Sequence, residues 1–270
     1  MNNKDQVHDF WNDAACGEKL LLPSFDIKGF KAQSAERYRL EPYILSFADF
    51  AGSEGLHVLE IGLGLGSDHE RFACAGAKLH GLDLTPHSVD VTRRRLEMQG
   101  LVSELRVGDA EALPYADGSF DIVYSWGVIH HSPNTAQAAR EILRVLKPGG
   151  SFRVMVYQTY SLVGLMLWLR YGLGQGKPLT SMAEIYSTYL ESPGTKAYTC
   201  REAEQLFAGA SLVKTRVVLT HGDLLESGAG QRHEGRVLAL ARSIWPRWLL
   251  RRLAKRFGLF LLVSGIKPIQ

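Results

Sequence analysis

Long apolar runs and paired cysteines are what this 270-residue chain lacks. Its longest uncharged apolar stretch, Leu162 to Leu169, is far short of the ~20 residues that a membrane-spanning helix needs. The three cysteines, Cys16, Cys74 and Cys200, are odd in number and far apart, with no CxxC pair. That excludes a disulfide framework and predicts reduced thiols with no zinc or other metal site. A strong charge of one sign is missing too. A net charge of +3 is too small to argue for a nucleic-acid partner. The N-terminus MNNKDQVHDF is polar and contains an acid, so no signal peptide is expected. No internal repeat or low-complexity segment occurs. The expectation is a water-soluble, cytoplasmic protein. With 46% hydrophobic and 22% charged residues, the chain suits one large α/β domain with insertions, or at most two small domains.

What is present is an alternation of strands and helices. Residues 1–50 mix aromatics with charges and read as a helical segment ahead of the domain. From Leu56 the texture changes: LHVLEIG is a short apolar run ending in glycines, as expected of a parallel strand buried on both faces. A helix containing Arg71 to Ala75 follows, then a strand in AKLHGLDLT. Thr85 and Pro86 open the next helix as N-cap and first helical residue. SELRVGDA, SFDIVYSWG and SFRVMVY give three further strands, with the amphipathic helix AAREILRVL before the last of them. Beyond Tyr157 the spacing predicts an insertion at about 158–198 with two helices. A capping box, Thr199 to Glu202, then starts another helix. A strand in SLVKTRVVLT, a basic helical segment at about 235–256 and a closing strand in FGLFLLVSGIK complete residues 51–270. Such alternation predicts a doubly wound parallel sheet whose last two strands pair antiparallel.

In an open α/β sheet, ligands bind outside the carboxyl ends of the strands. The prime candidate is therefore VLEIGLGLGSD, where Gly62, Gly64 and Gly66 follow the first strand. The dinucleotide fingerprint GxGxxG is incomplete, because Ser67 stands where its last glycine belongs. The phosphate loop GxxxxGK[ST] is absent. Glu60, just upstream, would repel a pyrophosphate and attract a cation. Two more acids stand at strand ends. Asp83, in GLDLT, has the position from which a carboxylate accepts ribose hydroxyls, with a helix-capping role competing. Asp109, in VGDAEALPY, could accept from an adenine amino group while the N–H of Ala110 or Glu111 donates to the ring; a turn-forming aspartate is the alternative.

VLEIGLGLG, GLDLT, GDAEALPYADGSFDIVYSWGVIHH and REILRVLKPGG together resemble the class I S-adenosylmethionine-dependent methyltransferases, in particular the small-molecule branch that includes the ubiquinone and menaquinone biosynthesis enzymes. The resemblance runs from about Val58 to Tyr157. It implies a Rossmann-like, seven-stranded sheet with the last strand inserted antiparallel, an N-terminal helical lid, and S-adenosylmethionine as cofactor with S-adenosylhomocysteine as product. It also implies that Glu60, Gly62, Gly64 and Gly66 line the methionine part, that Asp83 with Leu84 holds the ribose, and that Asp109 with Ala110 holds the adenine. Ser125 and Trp126 would border the sulfonium and the substrate.

Methyl transfer from a sulfonium is a direct displacement, so the protein mainly holds nucleophile and methyl in line and keeps water out. A base is needed only for a protonated acceptor, and His130 and His131 are the candidates; packing under the cofactor and helix capping are the bland alternatives. Arg37 and Tyr38 could meet the cofactor's carboxylate. Asn134 (otherwise a helix-start residue), Tyr160 and Tyr171 are candidates for the substrate pocket, although most aromatics of the insertion should be core. The stretch from Arg236 to Arg256 carries seven Arg or Lys and no acid. The favoured reading is a helix packed on its own domain with a solvated basic face. Peripheral contact with an anionic membrane is the alternative, and it would suit a lipid or prenylated substrate. Three other readings stay open: cyclisation of the cofactor's aminobutyrate chain with release of methylthioadenosine, a non-catalytic binding module, and, weakest, a nicotinamide oxidoreductase. The acceptor and the oligomeric state are not legible.

Overall fold

The computed structural model describes residues 3–226, 243 and 245–269. Four helices come first, α1 (Asn3–Asp13), α2 (Glu18–Leu21), α3 (Ile27–Leu40) and α4 (Tyr43–Ala48). The strands are β1 (His57–Ile61), β2 (Lys78–Asp83), β3 (Glu104–Val107), β4 (Phe120–Trp126), β5 (Leu146–Gln158), β6 (Ala197–Tyr198), β7 (Ser211–Val218) and β8 (Phe260–Ile266). Between them lie α5 (Ser67–Cys74), α6 (Pro86–Glu97), α7 (Thr135–Val145), α8 (Leu162–Tyr171), α9 (Met182–Tyr189) and α10 (Cys200–Leu206). A short α11 (Arg247–Leu253) precedes β8.

The sheet runs β3-β2-β1-β4-β5-β8-β7. β1 pairs parallel with β2 and with β4, and strand order reverses at β1. β8 lies antiparallel between β5 and β7, as the closing strands predict. The two-residue β6 pairs with the end of β5 and makes an eighth strand; a pair that short leaves no periodic signal in the sequence. Burial on both faces explains why the central strands read as continuous apolar runs. In β1, Val58 packs with Ile44, Ala48 and Phe72 on one face. Its neighbour Leu59 packs with Ala138, Ile142 and Phe207 on the other.

Local chemistry sets the helix ends near the strand tips. Thr85 caps α6, accepting from the Ser88 N–H, with Pro86 at the first helical position. Thr199 and Glu202 form the reciprocal capping box of α10. Helix α7 stops at Val145 and the chain turns directly into β5, since Pro148 cannot continue a helix and biases the preceding residue to extended backbone.

The basic segment departs from the reading favoured above. Residues 227–242 and 244 lie outside the described residues, and the expectation of a helix there goes with them. The described part, α11, buries none of its residues. Trp248 and Leu253 are 67% and 74% exposed, and Phe257 just beyond is exposed as well. Trp248 and Leu253 therefore do not pack on the domain. The segment is held at its start, where Arg247 Nε donates to the Leu224 carbonyl, and through the Arg251–Glu226 ion pair. Among the described residues, no helix is long and apolar enough to cross a membrane.

Candidate active site

All three glycines of the β1 exit loop have positive φ: 84° at Gly62, 53° at Gly64 and 74° at Gly66. That backbone disfavours side chains. Space matters separately at two of them. A Cβ on Gly62 would fall 2.0 Å from Val128 Cγ2, and one on Gly66 2.8 Å from Thr92 Oγ1. At Gly64 nothing lies within 4 Å of where a Cβ would be. The loop is thus packed at its two ends and open at its middle.

Asp83 pins this loop. Its Oδ2 accepts from the Leu63 N–H at 2.7 Å and the Gly64 N–H at 3.4 Å, and its Oδ1 accepts from the Thr85 N–H and the Thr85 hydroxyl, both at 2.9 Å. Burial pushes the carboxyl up, against these hydrogen bonds. The helix cap is Thr85, not Asp83. Leu84 is partly exposed beside it. Asp109 stands at the end of β3, where Lys4 of α1 donates to its Oδ2 at 2.5 Å and to Glu111 at 2.9 Å. Asp109 Oδ1 accepts from the Glu111 N–H at 2.9 Å. The Glu111 N–H expected for a ligand ring is therefore spent on the turn, and the Ala110 side chain is part of the core.

Two expectations about charge need correction. Glu60 does not present a free carboxylate to the loop. It is buried, with Oε2 2.8 Å from His69 Nδ1 of α5. Ser103 spends its hydroxyl proton on the Leu79 carbonyl, so it accepts from His69 Nε2–H at 2.8 Å, leaving Nδ1 as an acceptor. Burial drives the His69 pKa down to about 3 and lifts the Glu60 carboxyl well above its ordinary range. The proton resides on Glu60 and is donated to His69. The pair has no net charge with which to attract a cation.

Arg37 and Tyr38 are likewise engaged. Arg37 Nη2 and Tyr38 Oη each donate to the buried Asp68 at 2.8 Å, joined by Tyr124 Oη at 2.8 Å. Burial alone would raise the Asp68 carboxyl, but the Arg37 guanidinium and the hydrogen bonds from Arg37, Tyr124 and Tyr38 outweigh it and hold it below the usual range. These side chains tie α3 to the first turn of α5 instead of standing open to a ligand's carboxylate. Asp68 carries no local signal in the sequence, because its partners lie 30, 31 and 56 positions away.

At the end of β4, Ser125 is fully buried and its Oγ has no hydrogen-bond partner. Trp126 stacks on Tyr43 and meets Phe260 edge-on, with centroids at 6.0 and 5.7 Å. Glu41 is nearby and accepts from Trp126; burial lifts its carboxyl to about 7 against the pull of Arg37. Both nitrogens of the fully buried His130 lack partners. His131 Nδ1 lies 2.8 Å from Ser192 Oγ and 3.1 Å from Thr195 Oγ1, while its Nε2 lacks a hydrogen bond. Asn134 caps α7, accepting from the Gln137 N–H at 3.1 Å. Tyr160 is 60% exposed. Tyr171 is stacked on Tyr189 at 4.1 Å, a contact within the insertion. Neither tyrosine is gathered with His131; the insertion instead brings Glu191, with Oε2 3.5 Å from His131 Nε2. Nothing in the sequence pointed to Glu191.

Loop, strand-end acids and the buried polar groups after β4 thus meet at the carboxyl edge of β1, β2, β3 and β4, under α1 and α3. Residues 59–154, which contain most of that edge, match the model of a family described as a methyltransferase domain. This segment is similar to that family.

Curated relatives agree over the same region. A sterol 4-C-methyltransferase of Caenorhabditis elegans is 34% identical over 104 residues, covering 38% of this chain and 31% of the relative. A fatty-acid O-methyltransferase of Mycolicibacterium smegmatis is 35% identical over 132 residues, 48% of this chain and 47% of the relative. The alignments thus span less than half of each of these relatives. Among solved structures, a phosphoethanolamine N-methyltransferase 2 of Haemonchus contortus in complex with S-adenosyl-L-methionine superposes with a TM-score of 0.60. It is 18% identical and covers 97% of this chain and 60% of that one. That likeness places the methyltransferase domain and its flanking helices in the class I fold.

Proposed function

We propose that this protein transfers a methyl group from S-adenosylmethionine to a small-molecule acceptor, leaving S-adenosylhomocysteine. The observation that carries the reading is the loop pinned by Asp83: positive-φ glycines packed at both ends, open at Gly64, above a buried carboxylate whose contact with the Gly64 N–H is long, at 3.4 Å. When bound, the cofactor supplies a methyl group on a positively charged sulfur with a thioether as leaving group. Asp83 would accept the two ribose hydroxyls in exchange for its long contact with the Gly64 N–H and for the Thr85 hydroxyl, which has Ser88 Oγ as a second acceptor at 3.0 Å, with Leu84 against the sugar. Asp109 and Ala110 would flank the adenine, and the backbone of residues 62–66 the methionine arm. Ser125 Oγ, which lacks a partner, and Trp126 would border the reacting atoms and exclude water. An acceptor that carries a proton would lose it to His131, whose Nε2 has no hydrogen-bond partner. Arg37 and Tyr38 hold α3 over the site through Asp68. We read residues 1–50 as the lid and residues 51–270 as the catalytic domain.

Mass analysis tests this directly. Incubated with S-adenosylmethionine and a panel of sterols, fatty acids and amines, the protein should release S-adenosylhomocysteine only when an acceptor is present. Methylthioadenosine appearing without any acceptor would establish the cyclisation reading instead. Tight cofactor binding with no turnover across the panel would favour a binding module.

The exposed apolar residues of α11 favour a lipid-like acceptor met at a membrane surface. Trp248, Leu253 and Phe257 are open to solvent among Arg251, Arg252, Lys255 and Arg256, the composition of a surface that rests on anionic lipid. Co-sedimentation with vesicles containing phosphatidylglycerol should capture the protein at low salt and release it as salt rises. The double variant Trp248→Ala, Leu253→Asp should lose most of this binding. Equal capture by neutral phosphatidylcholine vesicles, or full binding by the variant, would remove the membrane reading.

A further inference from the structure

We propose that His130, His131 and Glu191, brought together by the loop after β4 and the end of the insertion, hold a divalent transition-metal ion. One ligand atom from each of these residues lies within 4.8 Å of the other two, close enough for modest side-chain rotation to bring all three onto one ion. The loop after β4 supplies the two imidazoles as neighbours in sequence. The insertion supplies the carboxylate from a distant stretch of chain, which is why no ligand spacing was visible in the sequence.

The hydrogen-bond network assigns the tautomer of His131. Thr195 spends its hydroxyl proton on the Ser192 carbonyl at 2.7 Å, so its oxygen can only accept from the ring. His131 Nδ1 therefore carries the hydrogen, shared between Ser192 and Thr195. In the neutral ring Nε2 is left with a bare lone pair. Opposite it, Glu191 Oε2 already accepts from Tyr157 Oη at 2.6 Å. Two acceptors thus face each other 3.5 Å apart in a largely buried place, which is unfavourable unless positive charge lies between them. His130 adds a fully buried ring with no hydrogen bond on either nitrogen.

The surroundings match what a metal site needs. A ligating histidine usually donates its second nitrogen to a fixed oxygen, which sets the ring orientation; Ser192 and Thr195 provide that for His131, and Tyr157 steadies Glu191. Two imidazoles and one carboxylate suit zinc, cobalt, nickel or ferrous iron, not calcium or magnesium, which prefer oxygen ligands. Three protein ligands leave a coordination position open, as in catalytic zinc sites. If methyl transfer is the reaction, an ion there polarises an acceptor oxygen, and His131 cannot serve as a free base because its one lone pair is used. Only this consequence depends on the proposed function; the site itself does not.

The test is a metal titration of the full chain without cofactor. Protein stripped with a chelator should bind one equivalent of Zn²⁺ by calorimetry, and Co²⁺ should give the visible absorption of a low-symmetry nitrogen and oxygen site. Glu191→Gln, on a partly exposed side chain, should keep the fold by circular dichroism and weaken binding at least tenfold. Thr195→Val, which removes one of the two oxygens behind His131 and the hydroxyl that donates to the Ser192 carbonyl, should weaken it by roughly 10-fold. His57→Ala, at the start of β1 and so at the opposite end of the sheet from the loop after β4, should change nothing. Absence of saturable binding, or affinity retained in both the Glu191 and Thr195 variants, would overturn the site. Either result stands whether or not methyl transfer is observed.

Discussion

Asp83→Ala should lower affinity for S-adenosylmethionine about 100-fold or more, read by calorimetry on folded protein. Each hydrogen bond to a buried carboxylate is worth roughly 1.5–3 kcal/mol, and tenfold in affinity is about 1.4 kcal/mol. Two ribose bonds are lost together, and the anchor of the Leu63 and Gly64 N–H groups goes with them. The isosteric Asp83→Asn should be nearly as damaging. Backbone N–H groups approach the side chain from both sides, Leu63 at one oxygen and Thr85 at the other. Whichever way the amide is turned, its NH₂ meets a donor. Affinity within threefold of the parent for either variant would refute the ribose assignment.

The second large effect concerns stability. Arg95, on α6, is fully buried. Its Nη1 donates to Gln33 Oε1 at 2.9 Å and the Leu65 carbonyl at 2.9 Å. Its Nη2 reaches Ser34 Oγ and the Phe30 carbonyl, and its Nε pairs with Glu70. One guanidinium therefore fastens α3, the glycine loop and α5 to each other. Arg95→Met should destabilise the protein by about 3–5 kcal/mol, since it strands Glu70 and two carbonyls without their cation. That corresponds to a fall of roughly 10 °C in melting temperature for a chain of this size. Arg95→Lys should recover little of it, because an ammonium cannot span the planar fork of acceptors. Residues 1–50 should also become the first segment cut by trypsin. A melting temperature within 2 °C of the parent would show that α3 is held by other contacts.

Both experiments bear on how the N-terminal helices sit over the site. Lys4 reaches Asp109, Trp11 meets the His131 ring edge-on at 5.3 Å, and Glu18 pairs with His87 at 2.7 Å. Those exposed or half-exposed contacts are worth little individually. The buried links, Arg37 to Asp68 and Arg95 to its acceptors, are the ones whose loss is expensive. On this division α1 is held less firmly than α3.

The order of the strands apart from β6, the glycine loop after β1 and the strand-end position of Asp83 were legible in the sequence. These are local properties. Apolar periodicity, a Thr-Pro helix start and glycines suited to positive φ are set by a residue and its near neighbours. Tertiary structure alone decided the charge state of the site. Glu60 looked like a cation-attracting acid, but His69 lies 9 residues away on the next helix and the two share a proton. Arg37 and Tyr38 looked free, but Asp68 occupies them. His131 looked like a simple base until the insertion placed Glu191 opposite its bare nitrogen. In a buried, low-dielectric site, a group's charge depends on which partner stands within about 4 Å. That distance is fixed by packing, so spacing along the chain could not reveal it.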